Sequence, residues 1–241
     1  MRIKLSLSTK QLPVHYRMLF VSLIKEAIKK SDEELYKNLY VDAVSIPKKY
    51  SFAIYLSKFK KEKDVFEVDG ATMTISSSDP RIAVALINGF QNVGNFVYKN
   101  WEIGIEKLEL LKEKNINHSC VQFTTLSPIL LENKENKPLL ITDKDFEKEM
   151  NTVCNRQFQA LYGRTLKKAL RIVNYNMKKQ VIQESNSGAE GRTLFFTGQK
   201  GYITLAGDIE DLQLIYQDGF LNRKSQGWGN LDVVSSFERG E

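Results

Sequence analysis

Two ferredoxin-like (RRM-like) domains in tandem, an α+β fold divided as residues 1–117 and 118–241, are predicted by three features of the sequence. In each half, strand-type alternation and helix-type striping succeed one another approximately as β-α-β-β-α-β. The length, 241 residues, suits two such units. Hydrophobic residues make up 42% and charged residues 27%, a balance that favours packed cores over disorder. The repetition lies in the pattern, with no residue-level repeat, and the division is expected near residues 115–118.

RIKLSLS alternates Ile3, Leu5 and Leu7 as a half-buried strand. A helix is predicted from about Pro13 to Lys30, with Leu19, Leu23, Ile24, Ala27 and Ile28 on one face and Lys25, Lys29 and Lys30 off it. Ser31 and Glu34 have the spacing of a capping box for a short second helix. Tyr50 to Leu56 reads as a strand, Lys58 to Asp64 as a charged turn and Ala71 to Ser77 as a strand. Asp79-Pro80 supplies an N-cap and a proline at the first helical position, and Ile82, Leu86 and Phe90 stripe the helix that follows. A single strand from about Asn95 to Leu110 ends this half.

In the second half, Cys120 to Thr125 is a strand. Thr142 is expected to cap a helix whose Phe146, Met150, Val153, Cys154, Phe158 and Leu161 share a face, with Gly163 as its stop. Strands follow around Lys168–Gln183, Thr193–Thr197 and Tyr202–Ala206, the last two joined by a turn at Gly198–Gly201. Ser185–Gly191 reads as a mobile loop tip. Asp208 caps a helix to Asp218, and a glycine-bearing loop leads into a last strand, Leu231 to Phe237.

Composition excludes several classes. No run of about 18 apolar residues could span a membrane as a helix. The amino-terminal residues carry no secretory signal pattern, and Cys120 and Cys154 stand apart, so a reduced, cytoplasmic protein is expected. Two histidines and no CxxC give no zinc spacing, and no paired carboxylates suggest catalytic magnesium, so no metal site is expected. Thirty-five Lys and Arg against 29 Asp and Glu leave a net charge of +6. That excess suits an anionic partner, nucleic acid being the commonest, and a solvated basic surface explains it equally well.

The strongest local signal is GFLNRKSQGWG, residues 219–229. Gly219, Gly227 and Gly229 either bring backbone N–H groups close to phosphates or only supply positive φ in a connection. Arg223 and Lys224 add charge and Ser225 a hydroxyl. The segment is neither a P-loop nor a dinucleotide fingerprint, since it precedes a strand. A second signal is the spread of bases Lys25, Lys29, Lys30, Lys48 and Lys49, with Tyr40 between them in sequence. Clustered lysines stabilise charge on a phosphate under attack, whereas lysines on the outer face of a helix are ordinarily solvated. His15 and His118 have no acidic neighbour at triad spacing. The aromatic pattern of RNA-recognition modules is missing from RIKLSLS.

These residues together resemble the CRISPR-associated Cas-six endoribonucleases of the RAMP superfamily. GFLNRKSQGWG is similar to their carboxy-terminal glycine signature, FTTLSPI (123–129) to the segment opening their second domain, and LPVHYRMLFVSLIKEAIKKSDEELYKNLY to their first helix pair. DPRIAVALINGF (79–90) and FQALYG (158–163) also fit, in the same order. The resemblance implies two ferredoxin-like domains, the first carrying catalytic residues and the second the RNA-binding loop. It implies a partner, CRISPR repeat RNA or precursor crRNA. The implied reaction is metal-independent and needs no cofactor: the 2′-hydroxyl attacks the adjacent phosphorus, leaving a 2′,3′-cyclic phosphate and a 5′-hydroxyl. Carried over by position, a family tyrosine is matched by Lys25, the family histidine by Tyr40, and a lysine by Lys48 or Lys49. Leu221 stands where a second signature glycine is expected. Lys25, Tyr40 and Lys48 are therefore the expected catalytic residues. Lys29, Lys49, Gly219, Arg223, Lys224, Ser225, Gly227 and Gly229 are the expected RNA contacts, and His15 is a substitute for the missing histidine if it reaches the scissile phosphate. Other Cas proteins of an interference complex and a second copy of the chain are further candidate partners. Two alternatives stay open: a non-catalytic repeat-RNA-binding subunit, and a metabolic enzyme gripping a small phosphorylated ligand.

Overall fold

The computed structural model describes residues 1–43, 45–185 and 193–238. The first lobe runs β1 (Arg2–Ser8), β2 (Gln11–Pro13), α1 (Arg17–Ser31) and α2 (Glu33–Lys37), the last passing into a π-helical turn (Asn38–Asp42). It continues with β3 (Tyr50–Ser57), β4 (Lys60–Glu62), β5 (Val65–Glu67), β6 (Gly70–Ser77), α3 (Pro80–Val93), β7 (Asn95–Tyr98) and β8 (Trp101–Leu111). The second lobe is β9 (Cys120–Thr125), α4 (Phe146–Tyr162), β10 (Arg171–Ser185), β11 (Thr193–Ala206), α5 (Ile209–Asp218), a 3₁₀ turn (Lys224–Gln226) and β12 (Leu231–Phe237).

The main sheets are antiparallel, in the orders β3-β6-β1-β8-β7 and β10-β11-β9-β12. Numbered within each β-α-β-β-α-β unit, both read 2-3-1-4, the ferredoxin-like order, with β7 added at one edge. Each sheet carries two helices, and each lobe has its own apolar core. Leu19, Leu23, Ile24, Ala27 and Ile28 of α1 are wholly buried, as their spacing requires. Residues 112–119 connect the lobes.

Several boundaries differ from expectation for local reasons. Gln11–Pro13 forms β2 and pairs with β5, so α1 begins at Arg17 and not near Pro13. Asp32, not Ser31, caps α2, its carboxylate accepting from the Leu35 N–H at 2.9 Å. The charged segment 58–64 is no simple turn, since Lys60–Glu62 pairs with Val65–Glu67 around Lys63 at φ 50°. The single strand expected over 95–110 is a hairpin, β7 and β8, turning at Lys99 with φ 55°. α4 starts at Phe146, later than a Thr142 cap implies. The turn expected at Gly198–Gly201 is absent, because β11 runs unbroken to Ala206. A Cβ at Gly198 would lie 2.6 Å from the Trp228 ring, and one at Gly201 2.0 Å from the Asn176 carbonyl oxygen, so close approach explains both glycines. The expected loop tip falls, except for Ser185 at the end of β10, outside the described residues.

A buried polar seam joins the lobes. Asn230 donates from Nδ2 to Ser51 Oγ and Ser76 Oγ, both at 2.9 Å. The Arg2 guanidinium donates to the Leu231 carbonyl at 2.8 Å and stacks over Tyr216. Asp218 accepts from the Ser78 N–H at 2.8 Å and from the Tyr162 hydroxyl. Arg17 on α1 pairs with Glu184 on β10 at 3.5 Å and lies over Trp228.

Candidate functional site

A cleft of about 560 Å3 opens at this junction. One wall is α1, presenting Met18, Val21 and Lys25 at helical spacing; the other is α4, presenting Arg156, Gln157 and Ala160. Residues 222–226 of the glycine loop and residues 45–48 complete the lining, with Tyr40 beside Lys25. Lys25, Lys48, Arg156, Arg223 and Lys224 all line it, and none of the described lining residues is Asp or Glu. Basic groups gathered in a lining that contains no carboxylate repel one another, and an anion placed among them relieves that repulsion, although Glu132 beside Arg223 and Asp218 near Lys224 offset part of it from outside the lining.

The side chains are held differently. Lys25 places its ammonium 5.0 Å from the centre of the Tyr40 ring. Tyr40 and Tyr50 hydroxyls are hydrogen bonded at 2.8 Å, and the Tyr50 hydroxyl reaches the Ser225 carbonyl at 3.5 Å. Burial pushes the Tyr40 hydroxyl well above the usual tyrosine range, with Tyr50 adding to the shift. Burial carries Tyr50 up to about 12, against the lowering effect of its hydrogen bonds with Tyr40 and Ser225. Tyr40 thus stays protonated and is a weak acid, and its hydroxyl is engaged in joining the first lobe to the glycine loop. Lys48 is buried and donates to the carbonyls of Ala43 and Ile46, both at 2.6 Å, so its ammonium is turned back onto its own lobe's backbone. Burial, and then the charge of Lys25, lower its ammonium below the usual lysine range.

The glycine loop is shaped by packing. A Cβ on Gly219 (φ 88°) would stand 2.5 Å from Ser51 Cβ, and one on Gly229 (φ 65°) 2.0 Å from the Phe220 carbonyl oxygen. The N–H groups of Gly219, Gly227 and Gly229 donate to the carbonyls of Ile215, Lys224 and Pro128. Of the two readings of these glycines, the geometry favours tight turning against the first lobe over phosphate contact by their own amides. Leu221, at the position where the family signature has glycine, adopts φ 67° and is buried. Arg223 projects outward over Phe196 and lies 3.4 Å from Glu132. Lys224 is only 6% exposed; burial pulls its ammonium down, and the Asp218 carboxylate offsets this only in part. That burial is at odds with a flexible lysine tracking an RNA backbone.

Lys25, Tyr40, Lys48, Arg223, Lys224 and Ser225 are therefore brought to one cleft. Lys29 and Lys49 are not in its lining: Lys29 lies over Tyr36 and Lys49 over Tyr162. Neither histidine lines it, and His15 Nδ1 is buried without a hydrogen-bond partner in the turn before α1. Sequence reasoning missed Arg156, Gln157 and Tyr50. Gln157 donates to the Leu221 carbonyl at 2.7 Å and ties α4 to the glycine loop. Among the described residues, no group of three or more His, Cys, Asp or Glu could hold a metal ion.

The family described as "CRISPR associated protein Cas6, C-terminal" matches residues 111–233, just over half of the chain. The chain belongs to the CRISPR-associated Cas6 family. No curated protein matches it by sequence. Among solved structures, a RAMP protein described as binding different RNA substrates is 21% identical, with a TM-score of 0.79 over 98% of this chain and 100% of its own. A Cas6-related protein of Pyrococcus furiosus is 20% identical, with a TM-score of 0.81 over 98% and 99%. A Cas6 product complex is 11% identical, with a TM-score of 0.68 over 97% and 99%. These likenesses establish that the Cas6 tandem ferredoxin-like fold extends over the first lobe as well as the matched second one. No helix among the described residues is long and apolar enough to cross a membrane.

Proposed function

We propose that this Cas6 protein binds CRISPR repeat RNA in the cleft between its lobes and cleaves it without a metal, by 2′-hydroxyl attack. The carrying observation is the lining itself: five basic side chains drawn from α1, the 45–48 loop, α4 and the glycine loop, with no lining carboxylate among the described residues. The geometry supports a division of labour. Lys25, at the open wall, neutralises the phosphorane as charge develops. Lys48, with its lowered pKa, is the better proton donor to the departing 5′ oxygen. Tyr40 orients Lys25 and anchors the loop through Tyr50, and Arg223 holds the strand as it leaves the cleft. Much of the rate comes from alignment, since holding the 2′ oxygen in line with the bond to be broken lowers the barrier by itself. Gly219, Gly227 and Gly229 shape the loop, while Lys29 and Lys49 contribute only to the outer field.

A second reading, a subunit that holds repeat RNA without cutting it, is favoured by one observation: neither histidine is in the cleft lining, so no imidazole serves proton transfer there near neutral pH. One experiment separates the two. The protein is incubated with its cognate repeat RNA in EDTA, alongside RNA carrying a 2′-deoxy sugar at the cut site. Cleavage to a cyclic phosphate, abolished by the deoxy sugar, supports the endonuclease. Binding without cleavage at every pH from 5 to 9 reduces the function to holding the RNA.

A further inference from the structure

We infer that Arg156 is the phosphate ligand on the second lobe's side of the cleft, gripping an RNA phosphodiester next to the one that Lys25 and Lys48 surround. The inference rests on the RNA reading above and assigns a residue that sequence reasoning did not select. Arg156 lines the cleft from α4, opposite the wall that carries Met18, Val21 and Lys25. Its side chain is exposed, and among the described residues it makes no ion pair and no hydrogen bond. The other basic groups of the second lobe here are committed: Arg223 is near Glu132, and Lys224 is buried under the influence of Asp218.

Arg156 also stands on a firm base. The next residue, Gln157, is buried and hydrogen bonded to the Leu221 carbonyl, and the neighbouring Cys154 and Phe158 are in the core. The backbone at 156 is therefore fixed while the guanidinium is free. A guanidinium presents paired donors that match two phosphate oxygens, a geometry an ammonium cannot copy. A strand laid through the cleft thus meets Lys25, held over Tyr40, on one side and the unpaired guanidinium of Arg156 on a fixed backbone on the other. A grip at two successive phosphates fixes the ribose between them, and with it the angle at the neighbouring phosphodiester that Lys25 and Lys48 surround. Arg156 is accordingly a binding and positioning residue, not a catalytic one.

The test compares wild type, Arg156→Ala and Arg156→Lys by RNA affinity over a range of salt, and by single-turnover cleavage at saturating RNA. Arg156→Ala is expected to weaken binding about tenfold and to reduce the slope of log affinity against log salt by about 0.7, one phosphate contact on a single strand. Arg156→Lys keeps the slope and loses part of the affinity. The saturating rate of Arg156→Ala falls severalfold as well, because the strand is held less firmly in line. Unchanged affinity and slope in Arg156→Ala, with wild type binding RNA normally, overturn this assignment and leave the RNA reading standing. Binding of no RNA by the wild-type protein overturns both. If wild type binds without cutting, the affinity and slope comparison still decides the role of Arg156.

Discussion

Asn230→Ala tests the seam that holds the cleft walls in register. Asn230 is wholly buried one residue after the glycine loop, and its amide donates to Ser51 and Ser76, on β3 and β6 of the other lobe. The substitution removes two buried hydrogen bonds, each contributing about 1 kcal/mol net. Two features soften the loss. Ser51 and Ser76 hydroxyls remain bonded to each other at 3.2 Å, and the removed Oδ1 is itself buried without a partner. The backbone of residue 230 is held independently, by Ser127 Oγ at 2.9 Å and by the Leu126 and Ser127 amides. The expected net cost is about 1–2 kcal/mol, a fall in Tm of about 2–8 °C for a chain of this size. Urea denaturation measures it, and a double-mutant cycle with Ser76→Ala should return a coupling of about 1 kcal/mol. Stability within 0.3 kcal/mol of wild type (about half of RT), or strict additivity with Ser76→Ala, would refute the view that this amide joins the lobes.

Three further outcomes are expected. Burial raises the Glu184 carboxyl above its ordinary value despite the attraction of Arg17. A group with a raised folded-state pKa contributes stability below its unfolded pKa and loses it as pH rises through the folded one. Wild type should therefore lose ground to Glu184→Gln between pH 4 and pH 7 in urea titrations, and a constant difference between the two would contradict the burial. Lys25→Ala should slow single-turnover RNA cleavage by 100-fold or more, on the order of one lost transition-state donor, whereas Tyr40→Phe should stay within about tenfold because that hydroxyl is bonded to Tyr50. The reverse ranking would make Tyr40 the reacting group. Gly229→Ala should cost more than about 1 kcal/mol, since φ is positive and the new Cβ meets the Phe220 carbonyl oxygen; a thermal melt at the wild-type temperature would contradict that.

Local chemistry was readable in the sequence at several positions where one residue decides the outcome, although the caps expected at Ser31 and Thr142 fell elsewhere. Asp79 and Asp208 cap α3 and α5 through their carboxylates, and Gly163 ends α4 in the left-handed conformation, each at its expected place. The tandem topology followed from such signals plus periodicity. What depends on distant partners was not readable. Gly198 and Gly201 resemble a turn by composition, but their missing side chains admit Trp228 and the Asn176 backbone. The β7–β8 turn has no glycine or proline to mark it, only Lys99 held at positive φ. In the cleft, sequence proximity drew Lys29 and Lys49 in with Lys25 and Lys48, although helix and strand geometry turn them toward Tyr36 and Tyr162. Arg156 carries no local mark. It lies on the polar side of an amphipathic helix, and only the docking of the second lobe brings it opposite Lys25.

The path of the RNA is tested most directly by photocrosslinking. A repeat RNA with 4-thiouridine on either side of the cut site is bound, irradiated, and the attached peptides are sequenced. Crosslinks should fall within residues 18–25, 45–48, 156–160 and 222–226, on both lobes at once. Crosslinks confined to one lobe, or to the open faces of the two sheets with none in these four segments, would contradict a cleft that grips the scissile linkage.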